Sequence, residues 1–201
     1  MLLAIDTSAG TSVAIVASDA GVLAARESSN TRGHAEMIGV FIAECLAEAR
    51  VRPRELSGVV AGMGPGPFTG LRVGIAAARA FALGIDKPVL PLISHDAVAF
   101  GLTEPSLVVT DARRREVYWS LYAGSDPHGL PVRVNGPALS KPDELVTPVG
   151  AIRLEVATIS AAALGLLAER MHAHGRSFAA ADALYLRSPD VTLSAGPKRV
   201  S

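Results

Sequence analysis

Cysteine is almost absent from this chain: Cys45 stands alone, inside an apolar helical pattern. A lone thiol closes no internal disulfide, so nothing points to an oxidising compartment, and Cys45 reads as a small buried hydrophobe. Aromatic side chains make up only 4% of the sequence, which leaves Ala, Leu and Val to build the core. Net charge is also missing, because Lys plus Arg equals Asp plus Glu. A protein that grips RNA or an anionic membrane by itself usually carries a basic excess, and none is available here to spread over a large surface. No basic region precedes the short apolar start "MLLAID", as a secretory signal would require. The longest uncharged run, "VATISAAALGLLA" at 156–168, falls short of the ~18 residues of a membrane span. The expectation is a soluble, cytoplasmic protein with no membrane contact.

Catalytic and metal-binding patterns are equally scarce. The histidines are His34, His95, His128, His172 and His174, with no H-x-x-x-H or H-E-x-x-H spacing. His172 and His174 lie two apart on a helix, hence on different faces, which argues against a shared metal. His34 falls at a helix start, where a polar residue needs no special role. Any serine can meet any histidine in three dimensions, so a triad stays open, but no G-x-S-x-G elbow marks one. The expectation is no catalytic residue, no stoichiometric metal and no cofactor. The densest charge cluster, "DARRREVY" at 111–118, reads as a solvated hairpin turn or as a polyanion contact.

What is present has a clear order. Apolar segments at 2–6, 11–17 and 22–28, separated by "TSAG" and "SDAG", read as strands joined by tight turns. A helix over 34–49 follows, with Met37, Ile38, Phe41, Ile42, Cys45, Leu46 and Ala49 on one face, and Pro53 opposes its continuation. Strand 57–62, a glycine-rich loop, helix 70–84 and strand 88–93 suggest a parallel pair with a right-handed crossover. Ser94 is placed to cap a short helix over 95–101. Beyond it, "SLVVTDA" (106–112) and "EVYWSLYA" (116–123) read as a hairpin around the arginines, and 131–140 as extended chain. A helix over 159–175 ends at Gly175, and the remaining residues to 201 read as extended. With 201 residues the chain can form one compact domain or two small ones, and a boundary falls near residue 100: an α/β domain over 1–100 and a smaller one over 101–201.

The loop "GMGPGPFTG" at 62–70 raises the question of nucleotide binding. A Walker loop needs G-x-x-x-x-G-K-[ST], whereas Leu71 and Arg72 stand where the Lys and the hydroxyl belong. It is not G-x-G-x-x-G either, and Pro65 and Pro67 remove two amide donors. Two readings remain. One is a weak anion site built from Phe68, Thr69, Gly70 and Arg72 at a helix N-terminus, with Asp6 and Thr7 of the "DTS" turn. The other is a rigid strand-to-helix connection whose glycines let backbones approach, with Asp6 capping a turn.

The two long helices suggest association. Helix 70–84 is apolar almost all round, with Arg72 and Arg79 in one narrow sector. Helix 34–49 carries Gly39, Ala43 and Ala47, small residues four apart, off its apolar stripe. Such a seam lets another helix come close. Together with Gly74, Ala77 and Phe81 of the second helix these residues form the candidate partner interface.

"LAIDTS", "GMGPGPFTGLRVGIAAARAFA", "DARRREVYWSLY" and "ALYLRSPDVT" together resemble the TsaB (YeaZ) family of tRNA threonylcarbamoyladenosine synthesis, across most of the chain. The resemblance implies an actin-like (ribonuclease H-like) two-lobed α/β fold with a reduced second lobe. It implies a non-catalytic subunit that pairs with the TsaD transferase through a two-helix face, is joined by the TsaE ATPase, forms a homodimer when alone, and meets tRNA only through the complex. The metal-binding histidine pair of the catalytic relative is missing, Pro67 stands where many relatives have Ser, and the second half is short for the family. A glycoprotease-like peptidase and an actin-like small-molecule kinase are the competing classes.

Overall fold

The computed structural model describes residues 1–31 and 33–187. The closing extended segment from 188 onward, including the "SPDVT" part of the last family motif, lies outside the described residues. Strands β1 (Leu2–Asp6), β2 (Thr11–Ala17) and β3 (Gly21–Ser28) form an antiparallel meander. Strands β4 (Gly58–Gly62) and β5 (Val89–Leu92) then add in parallel beside β1, giving a five-stranded sheet in the order β3-β2-β1-β4-β5. Helix α1 (His34–Ala49) connects β3 to β4, and α2 (Phe68–Ile85) connects β4 to β5. A meander continued by parallel strands through helical crossovers is the actin-like arrangement.

β1 and β2 are buried at every position, so their two faces feed two cores. Alternate side chains point to opposite faces of a strand. Leu3, Ile5, Val13 and Ile15 therefore pack with Ile38 and Cys45 of α1 and with Leu71, Ile75, Ala78 and Ala82 of α2. Leu2, Ala4, Ala14 and Val16 pack on the other side with Leu164, Leu167 and Ala168 of α4 (Ala161–Ala173). Cys45 is wholly buried, and burial pushes its thiol up to about 11. By length and composition α2 could also cross a membrane, but its inner side is packed on the sheet as a core helix.

The second sheet has the order β8-β7-β6-β9. β6 (Ser106–Asp111) and β7 (Val117–Ser125) form the hairpin around the arginines, and β8 (Pro131–Ser140) pairs with β7. β9 (Ile152–Glu155), unforeseen in the sequence, adds parallel to β6. A short 3-10 turn at Pro53–Glu55, also unforeseen, follows α1. The chain then returns to the first sheet, where Ser160 caps α4 and Ala161 N donates to Ser12 Oγ at 2.9 Å.

Ser94 departs from expectation. It is the first residue of the short helix α3 (Ser94–Ala99) and caps nothing there; Ile93 holds the cap position. Its hydroxyl instead accepts the amide of Gly64 at 3.0 Å, pinning the glycine loop to the end of β5.

Candidate functional site

The glycine loop is filled by its own chain. Asp6, Thr7 and Ser8 leave β1 directly beneath it. Thr7 Oγ1 donates to the carbonyl of Gly70 at 2.6 Å and accepts the amide of Gly74 at 2.9 Å. Those two backbone groups are i and i+4, so the hydroxyl sits on a rung of the α2 ladder. A Cβ at Gly66 would stand 2.7 Å from the Ser8 carbonyl, and one at Gly70 would stand 2.6 Å from the Thr7 carbonyl. At Gly62 it would overlap the Asp6 carboxylate, and at Gly74 the Thr7 hydroxyl. The glycines thus permit a close internal approach, which favours the rigid-connection reading of the loop.

The candidate anion contacts do not converge on an opening. Asp6 and Thr7 are buried. Asp6 Oδ1 accepts the Ser8 amide at 2.8 Å and the Ser8 hydroxyl at 2.5 Å, the turn-capping role. Its Oδ2 has no hydrogen bond of good geometry, and burial raises the carboxyl pKa, a shift only partly offset by the Ser8 and Ser94 hydroxyls. Phe68, Thr69 and Arg72 are exposed, while Gly70 is buried. Arg72 turns away from the loop: its guanidinium lies 3.7 Å over the Phe68 ring and its Nε donates to the Tyr185 hydroxyl at 3.3 Å. Among the described residues a cleft of about 210 Å³ lies between the two sheets, bordered by Ser8, Ser29, Thr31, Pro67, Asp111 and Arg113, and a wider one of about 480 Å³ is bordered by Arg72, Arg79, Asp182 and Tyr185.

Sequence reading missed two buried histidine sites. His34 is buried at the start of α1, with its Nδ1 2.7 Å from Thr11 Oγ1; burial and nearby Arg113 lower its pKa. His95, fully buried in α3, lies 2.8 Å from Ser120 Oγ through Nδ1 and 3.0 Å from Thr110 Oγ1 through Nε2. It is a polar pin between α3 and the second sheet, sealed from solvent. Beside it Tyr122 donates to Asp96 at 2.7 Å, and Arg133 pairs with Asp96 at 3.3 Å. Among the described residues no group of three or more His, Cys, Asp and Glu side chains could hold a metal.

The open feature is the outer side of α1 and α2. Gly39, Ala43 and Ala47 are exposed, and Val40 between them is 53% exposed. Arg26 of β3 anchors the flank by bonding Glu44 at 2.8 Å and Glu48 at 2.6 Å. On α2 the expected residues need correction. Gly74 is buried against Thr7, and Ala77 and Phe81 are half-buried against the inner core. The outward stripe is Ala76, Ala80 and Leu83, the last 83% exposed. Arg72 and Arg79 hold a segment of the same chain instead: Arg79 donates to the Ala181 carbonyl, as Arg72 does to Tyr185.

The family model described as TsaD: tRNA N6-adenosine threonylcarbamoyltransferase matches residues 21–184. The chain is 39% identical over 206 residues to the uncharacterized protein ML0378 of Mycobacterium leprae, covering 94% of this chain and 55% of that protein. It is 39% identical over 94 residues to the tRNA threonylcarbamoyladenosine biosynthesis protein TsaB of Haemophilus influenzae, covering 44% of this chain and 40% of that one. It therefore spans about half the length of the curated relatives it matches. The solved structure of YeaZ from Pseudomonas aeruginosa is 26% identical, with a TM-score of 0.74 over 87% of this chain and 92% of that one.

Proposed function

The chain belongs to the TsaB (YeaZ) family, within the broader group that the TsaD model describes, and we propose that it serves tRNA threonylcarbamoyladenosine biosynthesis as a non-catalytic partner of the TsaD transferase. The observation that carries this reading is the face of small and apolar residues on α1 and α2 that stands exposed among the described residues, next to a loop that its own chain has filled. The filled loop disfavours a kinase. The sealed His95 site offers no nucleophile to a peptide, which disfavours a peptidase. Transferase chemistry falls to the partner, and this chain contributes a surface. The same face serves self-association when the partner is absent, and TsaE joins the assembled pair.

The test is Ala43→Arg. Ala43 is exposed and off the core, so the fold should keep its stability to within about 0.5 kcal/mol. A buried, unpaired guanidinium in the complex should cost several kcal/mol. Co-elution with the transferase of the same cell is expected for the unaltered chain and not for the variant. Full co-elution of a folded Ala43→Arg chain would remove α1 from the interface.

A further inference from the structure

We propose that Arg72 and Arg79 of α2 select the partner by charge: they pair with carboxylates seven residues apart on a docking helix of the transferase and hold off a second copy of this chain. The proposal rests on the partner reading above and names what that surface recognises.

Spacing along α2 supplies the first observation. Arg72, Ala76, Arg79 and Leu83 follow one another at intervals of four, three and four residues, and all of them are exposed. At 3.6 residues per turn they fall within about 60° of one another around the helix. Intervals of four and three are those of a seam along which a second helix packs. Ala76 and Leu83 give that seam its apolar contacts. The two arginines stand seven residues apart, about 10.5 Å along the axis.

Charge supplies the second. Arg72 Nε donates to the Tyr185 hydroxyl at 3.3 Å, its guanidinium lies over the Phe68 ring, and Arg79 donates through one nitrogen to the Ala181 carbonyl. These partners carry no charge, and among the described residues neither arginine is in an ion pair. Each guanidinium has five N–H donors, so each keeps donors for a negatively charged acceptor. Both border the cleft of about 480 Å³ between α2 and residues 182–185, and Ala76 borders it too, so the cleft adjoins the outward stripe. Asp182 is the one carboxylate that lines it, against two arginines.

The identity of the occupant follows from what this chain cannot offer. The acids of α1 are Glu36, Glu44 and Glu48, and Arg26 bonds both Glu44 and Glu48. Glu36 stands outside that pairing, but seven residues further on the helix has Ala43. α2 contains no acid at all. A two-fold pairing through α2 would set the arginines of one copy against those of the other. Like charges facing each other suppress such a pairing, and opposite charges favour the intended one. A helix with carboxylates seven residues apart meets both guanidiniums at once. The apolar members of the seam favour a protein helix over a nucleic acid backbone.

The experiment compares the full chain with two double variants, Arg72→Gln with Arg79→Gln and Arg72→Lys with Arg79→Lys. Titration against the transferase of the same cell gives the affinity in low and high salt, and sedimentation equilibrium of the chain alone gives its self-association. Circular dichroism melts check that each variant is folded. Removing the charges should weaken transferase binding by about tenfold in low salt, and the gap should narrow as salt screens the pairs. The same change should tighten self-association. The lysine variant keeps the charges and should follow the parent in both measurements. The unaltered chain provides a test that needs no variant: as salt rises, its transferase affinity should fall and its self-association should not. Equal transferase affinity for the parent and the glutamine variant overturns the proposal. So does a parallel loss of transferase binding and self-association. A lysine variant that behaves as the glutamine variant also overturns it, because the bonds to Ala181 and Tyr185 would then matter rather than the charge. If the unaltered chain does not bind the transferase, the partner reading fails and the proposal falls with it. If the unaltered chain and the glutamine variant bind equally well, the proposal alone falls.

Discussion

Thr7 shows how far one side chain can set a local structure. Its hydroxyl bonds two α2 backbone groups, and only a glycine at 74 leaves room for it. Helix propensity alone would make Gly74→Ala stabilising by about 1 kcal/mol. The overlap with Thr7 reverses the sign, and a loss of about 1–3 kcal/mol is expected by chemical denaturation. A stabilised variant would show that Thr7 can swing aside freely. His95 carries a pH signature. Burial depresses its pKa from 6.5 to about 3, with Arg133 acting in the same direction. Above pH 6.5 the ring is neutral in both states. Below it the unfolded chain takes up a proton that the fold refuses, so this contribution falls by up to about 1.4 kcal/mol per pH unit as pH drops toward 3. Asp6 and Asp96, whose carboxyls burial pushes up, act in the opposite sense as pH falls through their folded values. Comparing His95→Gln with the parent isolates the histidine. The stability gap between them should shrink between pH 7.5 and pH 5, and parallel curves would refute the assignment.

At the scale of elements, α1 and α2 each have an inner side that the sheet uses and an outer stripe that none of the described residues covers. Leu83 is the largest apolar side chain of the α2 stripe. Leu83→Ser should leave unfolding unchanged to within about 0.5 kcal/mol, because little of it is buried in the isolated fold. Transferase binding should weaken by about tenfold or more if Leu83 lies at the centre of the interface. Unaltered affinity in a competition titration would confine the contact to α1. The other flank of α2 is occupied. The Leu184 amide bonds the Met63 carbonyl at 2.8 Å and the Ala179 amide bonds the Pro91 carbonyl at 3.0 Å, so the segment of residues 179–185 runs across the loop and the end of β5.

For the whole molecule, the cleft between the sheets is the feature that an actin-like fold makes one ask about. At about 210 Å³ it is smaller than the ~300–1,000 Å³ usual for ligand pockets, and the glycine loop beside it is packed on Asp6, Thr7 and Ser8. Titration calorimetry of the isolated chain with ATP and magnesium should give no tight binding, with a Kd of about 1 mM or weaker, equivalent to no more than about 4 kcal/mol. A micromolar constant would revive the kinase reading.

Much of the fold was legible because its signals are local. Period-two and continuous apolar runs mark β1, β2 and β4, and the α1 and α2 patterns bury one face, so the five strands of the first sheet fall within one residue of their expected limits. The outward Gly39–Ala43–Ala47 seam followed from the same periodicity. β9 was not legible, because "IRLE" has no pattern of its own and pairs only where β6 offers an edge. Ser94 was misread because a capping residue is judged from its own segment, while its hydroxyl serves the loop thirty residues earlier. Gly74 was assigned outward because a small residue looks the same on either side of a helix until Thr7 is placed beneath it. His34, His95 and the reach of Arg113 to Thr31 carried no signal at all, since each depends on which distant segments the sheets bring together. Periodic burial is written in the chain one segment at a time. Polar partnerships between segments exist only once packing has excluded water and set the distances, and that was decided by the tertiary structure.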